Sequence, residues 1–265
     1  MAKPMLEHTF VHISGIGEAT ERSLWEQGIV TWTDAIDRGV CPVGFSDARW
    51  GNNCRLIEES LRSLERREHR HFARMLKSAH HWRAWEDFRR DTVYLDIETT
   101  GCSRFSTVTV VGLYDGTRTQ TFVAGDNLDQ LPDALEQYAM IVTFNGASFD
   151  LPYLRRRFPE LPSDHLHLDL MHALRRIGLK GGLKAIERSV GIERDDDLQG
   201  LDGWDAVRLW REYQAGSEES LDTLVRYNAA DIVNLEILAE RAYAEIRASL
   251  GLPCDADTEG APARE

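Results

Sequence analysis

The sequence is short of the features that would place it outside the cell or in a membrane. Its four cysteines, Cys41, Cys54, Cys102 and Cys254, are scattered over 265 residues with no C-x-x-C pair. That spacing argues against a disulfide framework or a cysteine zinc site and fits reduced thiols. No apolar run approaches the roughly 18 residues of a membrane span. The N-terminus "MAKPMLEHTF" has no apolar signal-peptide core, so export is not expected and the cytoplasm is the expected location. No internal repeat is visible. Positive charge is also scarce: 31 Lys and Arg against 44 Asp and Glu leave a net −13. Taken as an average this speaks against a polyanionic partner, because sequence-independent binding of nucleic acid rests on basic side chains that neutralise phosphates.

The average hides two electrostatic halves. Residues 1–92 hold 14 acidic and 14 basic side chains, whereas residues 93–265 hold 30 and 17 and carry the whole deficit. Within the first half, residues 55–90 are basic, ten against six. The second half concentrates acid, as a metal site would. With 42% hydrophobic and 28% charged residues, the chain has the make-up of a globular protein with room for one large domain and one small one. The expected boundaries are a small helical domain over 1–90, an α/β domain over 91–250 and a disordered tail over 251–265.

Periodicity fills in these segments. Residues 10–38 read as two short helices around "SGIGEA", with Gly28 as a helix end and Thr31 or Thr33 opening the next. Ser46 is the expected cap of one amphipathic helix running through residue 77, with Ile57, Leu61, Leu64, Phe72 and Met75 on its apolar stripe. From Thr92 the period becomes that of strands: "TVYLDIE", "TVTVVGLY", an Asp115-Gly116 hairpin signal, then "TRTQTFV". A helix through "LDQLPDALEQY", a strand through "MIVTF", a break at Asn145-Gly146 and a helix with Pro152 in its first turn follow. "HLHLDLMHAL" offers a fifth strand before the chain turns helical, which makes a mixed α/β sheet with a helical C-terminal part.

The stretch "VYLDIETTG" sets Asp96 and Glu98 two positions apart in an apolar strand, on one face and about 6.6 Å from each other. Two carboxylates so placed either sit at an exposed strand end or call for a cation, and hard oxygen ligands suit Mg²⁺ or Mn²⁺. Two further acids follow. Asp150, in "FNGASFDLPYL", opens a helix just past a strand end, where it serves either as an N-cap or as a site residue. In "YNAAD", Tyr227 and Asp231 are four apart, which puts a phenol and a carboxylate on one helix face.

Taken in order, "DIETTG", "FNGASFD" and "YNAAD" resemble the three exonuclease motifs of the DEDD superfamily. The tyrosine four residues before the last acid marks the DEDDy branch; the DEDDh branch has a histidine five before it, where this chain has Arg226. The resemblance covers about residues 92–245 and is nearest to ribonuclease-H-like domains of the YprB type and to the proofreading domains of family B DNA polymerases. It implies a ribonuclease-H-like α/β fold, a mixed five-stranded sheet with flanking helices, preceded here by the small all-α domain. It further implies a 3′ to 5′ exonuclease with two ions, Mg²⁺ or Mn²⁺, acting on DNA or RNA with a free 3′ end, with DNA placed ahead of RNA. Asp96 would bridge both ions, Glu98 and Asp231 would hold the ion that carries the attacking water, Asp150 would support the second, and Tyr227 would position the water.

Thr99, Thr100, Asn145 and Phe149 would contact the terminal nucleotide by the same resemblance, or serve as turn and core residues. Lys184 would meet a phosphate or stay solvated. Asp169 matches a recurrent acid of YprB-like domains without an assigned chemistry. The segment "HISGIGEATERSLWEQGI" resembles the hairpin of helix-hairpin-helix modules, in which Gly15 and Gly17 leave backbone N–H groups free for a phosphate; a plain glycine turn fits it as well. The alternatives to an exonuclease are a ribonuclease or structure-specific endonuclease on the same fold, a catalytically weak nucleic-acid-binding module, or a scaffold in which the acids are incidental.

Overall fold

The computed structural model describes residues 3–195, 197–198 and 200–253. Cys254 and the expected tail from 254 onward lie outside them. The chain divides into two compact units, one of Met1–Arg89 with Tyr243–Glu265, the other of Arg90–Ala242.

The first unit is helical. A 3₁₀ turn over Leu6–His8 is followed by α1 (Glu18–Glu26), α2 (Trp32–Asp37), α3 (Asp47–Glu65), α4 (His69–Met75) and a second 3₁₀ stretch over Ser78–Ala84. Thr31 opens α2 through a reciprocal capping box with Asp34, and the Ser46 side chain accepts from the Arg49 N–H at the start of α3. The single helix expected over 46–77 is two. Arg67 takes a left-handed conformation (φ 55°) and the Glu68 N–H returns to the Ser63 carbonyl (2.8 Å), a helix-terminating geometry that periodicity alone does not reveal. Before Gly15 the backbone forms turns, with Ile13 bonded to Phe10 and Ile16 to Ile13. Trp32, Phe72, Trp85 and Phe88 fill the core. A buried ion pair of Arg83 with Glu21 (2.9 Å) sits among them, and Glu21 also accepts the N–H groups of Phe10 and Val11.

The second unit is a five-stranded sheet between two layers of helices. Its strands are β1 (Thr92–Thr99), β2 (Val108–Tyr114), β3 (Thr119–Val123), β4 (Met140–Thr143) and β5 (Leu166–Asp169), in spatial order β3-β2-β1-β4-β5. The first three are antiparallel; β4 and β5 run parallel to β1. The β2–β3 turn is the one expected: Gly116 has φ 89°, and the Asp115 carboxylate accepts the N–H groups of Thr117 and Arg118. The helices are α5 (Leu131–Leu135), α6 (Asp150–Arg157), α7 (Leu170–Arg176), α8 (Leu183–Ser189), α9 (Gly203–Gln214) and α10 (Glu218–Ser249), whose residues from Tyr243 onward belong to the first unit. Alternation along β1 sends Val93, Leu95 and Ile97 into a core with Leu131, Leu135, Tyr153 and Leu154. On the opposite face Val110 and Val123 pack with Ala206, Leu209 and Trp210 of α9 and with Leu224 and Tyr227 of α10. Among the described residues no helix is long and apolar enough to cross a membrane.

Candidate active site

The alternation that buries Leu95 and Ile97 turns Asp96 and Glu98 toward α10. In the antiparallel register Asp96 faces Gly112 and Glu98 faces Val110, with a register shift just beyond Glu98. The missing side chain at Gly112 is what admits Asn228: a Cβ there would lie 2.0 Å from Asn228 Oδ1. Asn228 Nδ2 donates to Asp96 Oδ2 (2.9 Å) and to its main-chain oxygen (3.3 Å). Tyr227 and Asp231, one helical turn apart, bring the phenol and another acid to the same place. Asp96, Glu98 and Asp231 each offer a carboxylate oxygen, and these oxygens lie within 4.8 Å of one another.

Asp150 arrives differently. It is the first residue of α6, after Phe149 in the cap position. Pairing of β1 with β4 covers only Thr92–Tyr94, and the Ile97 N–H beyond it donates to Asp150 Oδ1 (3.2 Å). Asp150 is outside the three-acid set, yet after burial its charge is the largest influence on Asp96. The loop before α6 is shaped by Asn145, at φ 65°, and by Gly146, packed on Thr143. Asp169, at the end of β5, accepts the N–H groups of Asn145 (2.8 Å), Ala147 (3.1 Å) and Met171 (3.1 Å), which gives this acid a structural task.

Burial is the main cause that holds all four carboxyls above their usual range. Repulsion adds to it, chiefly from Asp150 on Asp96 and from Asp231 on Glu98. Asp150 is pushed up to about 7. Asp231 rises least freely, because the Arg194 guanidinium bonds to it. Arg194 also grips Glu187 through two bonds of 2.8 and 2.7 Å, and Asn234 donates to Glu187 (2.9 Å). Lys184, open in the sequence to a phosphate or to solvent, is half-buried: it donates to Tyr227 Oη (2.6 Å) and to the Leu201 carbonyl, and lies 4.3 Å from the centre of the Tyr227 ring. The Tyr227 hydroxyl is pushed well up by burial and then by Asp231, so it stays protonated. Hard oxygen donors, crowded and reluctant to ionise together, could hold a divalent metal ion.

Asp96, Glu98, Tyr227 and Asp231 line a cleft of about 360 Å³ with Thr99, Phe149, Trp204 and Val207. Thr99 Oγ1 closes the turn onto the Gly101 carbonyl (2.7 Å), and the Phe149 ring packs against Tyr153 at a tilt of 43°, with centroids 4.8 Å apart. Thr100 and Asn145 do not line the cleft; Thr100 pairs with Thr107 in the adjacent loop. His165 bonds to the Leu135 carbonyl and His167 to the Thr143 hydroxyl. In the first unit, Gly15 (φ 81°) and Gly17 line a separate cleft of about 430 Å³ with Arg74, Lys77 and His80. Sequence reasoning missed Asn228, Glu187, Arg194 and Trp204. The Asn in "YNAAD" was the one in view, and only its contact with Asp96 gives it meaning.

A family model described as the RNase_H superfamily matches residues 93–243. No curated protein matches the chain. Among solved structures the chain is similar to a family B DNA polymerase from the hyperthermophilic archaeon Pyrobaculum calidifontis, at 17% identity and a TM-score of 0.46. The alignment covers 57% of this chain and 24% of the polymerase, so the chain spans about a quarter of that protein's length.

Proposed function

The chain belongs to the RNase H superfamily, and from that premise we propose that it is a metal-dependent 3′ to 5′ exonuclease of the DEDDy, YprB-like type that releases nucleoside 5′-monophosphates. The observation that carries this reading is the meeting of Asp96, Glu98 and Asp231 with the Tyr227 hydroxyl in one cleft. Asp96, Glu98 and Asp231 would hold one ion, and Asp150, beside Asp96, would help hold a second. Bound divalent ions lower the pKa of water and stabilise the charge that develops on the leaving oxygen.

The chain's own groups supply position. Asn228 fixes the Asp96 carboxylate and keeps one of its oxygens directed. Tyr227 Oη accepts from Lys184, which leaves its own hydrogen free to donate to a water or a phosphate oxygen. A protonated phenol is a poor general base at neutral pH, so its task is orientation. Thr99 and Phe149, which line the cleft, would meet the terminal sugar and base, while Thr100 and Asn145 would act by shaping the loops beside them. Gly15, Gly17, Arg74 and Lys77 would grip a phosphate backbone, and the likeness of this segment to helix-hairpin-helix modules puts DNA ahead of RNA as the substrate.

The test is Asp96→Asn, measured for folding, Mn²⁺ binding by calorimetry, and turnover on labelled oligonucleotides. The expected result is a folded protein with weakened Mn²⁺ binding and turnover lowered more than a hundredfold. Turnover within tenfold of the parent, about 1.4 kcal/mol in the barrier, rejects the assignment.

A further inference from the structure

Six of the seven tryptophans are buried; the seventh, Trp204, is 71% exposed, and it stands in the wall of the acidic cleft. Exposure of so large an apolar ring is unfavourable, and nothing in the core requires it there. Its position is nevertheless fixed. Trp204 is in the first turn of α9, where Asp202 accepts its backbone N–H (2.7 Å) and that of Asp205 (3.2 Å), while Asp205 returns a bond to the Asp202 N–H (3.1 Å). One turn on, Ala206, Val207 and Trp210 anchor the helix in the core. The ring is therefore presented by a rigid element. Phe149, held by Tyr153, lines the same cleft, and so do the acids.

We propose that Trp204 is a stacking platform for the unpaired base at the 3′ end of the substrate. The proposal rests on the exonuclease reading and adds to it a preference for single-stranded or frayed ends. A nucleobase suits the position better than an aliphatic or peptide partner. The terminal phosphodiester must reach Asp96 and Glu98, and a base attached to it is then within the same cleft. A stacked base buries the indole face and needs no complementary hydrogen bonds, so the site would be tolerant of sequence. Lys184 and Arg194, near those acids, offset part of the negative field that the phosphate meets.

The experiment is fluorescence anisotropy with 5′-labelled oligonucleotides in Ca²⁺, on the full chain, Trp204→Ala and Trp204→Phe. Three probes are used: an unpaired 3′ end, the same strand with an abasic 3′ nucleotide, and a blunt duplex. The expected result is that Trp204→Ala weakens binding of the unpaired end by about five- to 150-fold. Trp204→Phe should stay within about threefold of the parent, and the abasic probe should bind the parent and Trp204→Ala alike. Equal binding of the unpaired end by the parent and Trp204→Ala overturns the proposal, as does an equal loss on the abasic probe, which points to general disruption. Equal affinity of the parent for blunt and unpaired ends overturns the preference. A parent that binds as expected but never hydrolyses the strand in Mg²⁺ or Mn²⁺ sinks the exonuclease reading and leaves the platform standing; a parent that neither binds nor hydrolyses rejects both.

Discussion

Gly112→Ala is a one-carbon change whose effect should be large because of what stands opposite. The new Cβ would lie 2.0 Å from Asn228 Oδ1 and 2.9 Å from Ile232 Cδ1, where about 3.4 Å is needed. The isoleucine methyl can rotate away. Asn228 is short, buried and committed to Asp96 through both of its hydrogen bonds, so it cannot yield without releasing that acid. Overpacking costs about 1–3 kcal/mol and a lost bond to a charged group about 1.5–3. Alanine recovers about 0.5–1 kcal/mol over glycine in a strand. The net expectation is a loss of about 2–5 kcal/mol, or roughly 4–20 °C in melting temperature, together with a fall in turnover because Asp96 is no longer held. Urea melts of Gly112→Ala, Asn228→Ala and the double variant form the test. In the Asn228→Ala background the alanine at 112 has space and should cost less than about 1 kcal/mol. An equal cost in both backgrounds, or a cost below about 0.5 kcal/mol alone, refutes the packing argument.

Further outcomes follow from the charges. Asp150 titrates near 7 in the folded chain against 3.8 unfolded, so the folded state keeps a proton that the unfolded state has lost. Its contribution to stability is full below about pH 4 and is lost as pH rises through 7, on the order of 4 kcal/mol. Melts in EDTA should therefore weaken from pH 5 to 8, with Mn²⁺ stabilising more at the higher pH; a metal effect that shrinks with pH contradicts this. Arg194→Ala leaves Glu187 and Asp231 buried without their shared cation and should cost about 3–5 kcal/mol in EDTA, much of it restored by Mn²⁺. An unchanged melt refutes that role. Arg74→Ala and Lys77→Ala, in the cleft beside Gly15 and Gly17, should each lower the slope of log affinity against log salt by about 0.7–0.9 if they meet phosphates. Unchanged slopes assign that cleft another partner.

Much of this was legible because it rests on local rules. β1 to β3 and β5 follow from strand-like patterning and β4 from the apolar run "MIVTF", with turns at Asp115-Gly116 and Asn145-Gly146, and Thr31 and Ser46 cap helices as their side chains suggest. Asp96, Glu98 and Asp231, whose carboxylates the fold brings together, stand out in the sequence through their spacing along a strand and a helix; Asp150 has no such spacing and stays open there between an N-cap and a site residue. The break at Arg67 was hidden because it needs only a left-handed residue, which arginine does not announce. Of the two readings of Lys184, phosphate or solvent, the solvated one does not hold, because its environment is set by Tyr227, 43 positions away in the chain. Asn228, Glu187 and Arg194 were missed for the same reason: each acquires its role from a partner brought near by folding, and Trp204 looks like any core tryptophan until its exposure is seen.

The most direct measurement of the central claim is a time course on a 5′-labelled single strand in Mn²⁺, run beside the same strand with a 3′-phosphate, beside a circular single strand, and with EDTA. The account predicts a ladder that shortens one nucleotide at a time from the 3′ end, blocked by the 3′-phosphate, with the circle untouched and all activity lost in EDTA. Release of the 5′ label as a mononucleotide in the first turnovers, or cleavage of the circle, would contradict it.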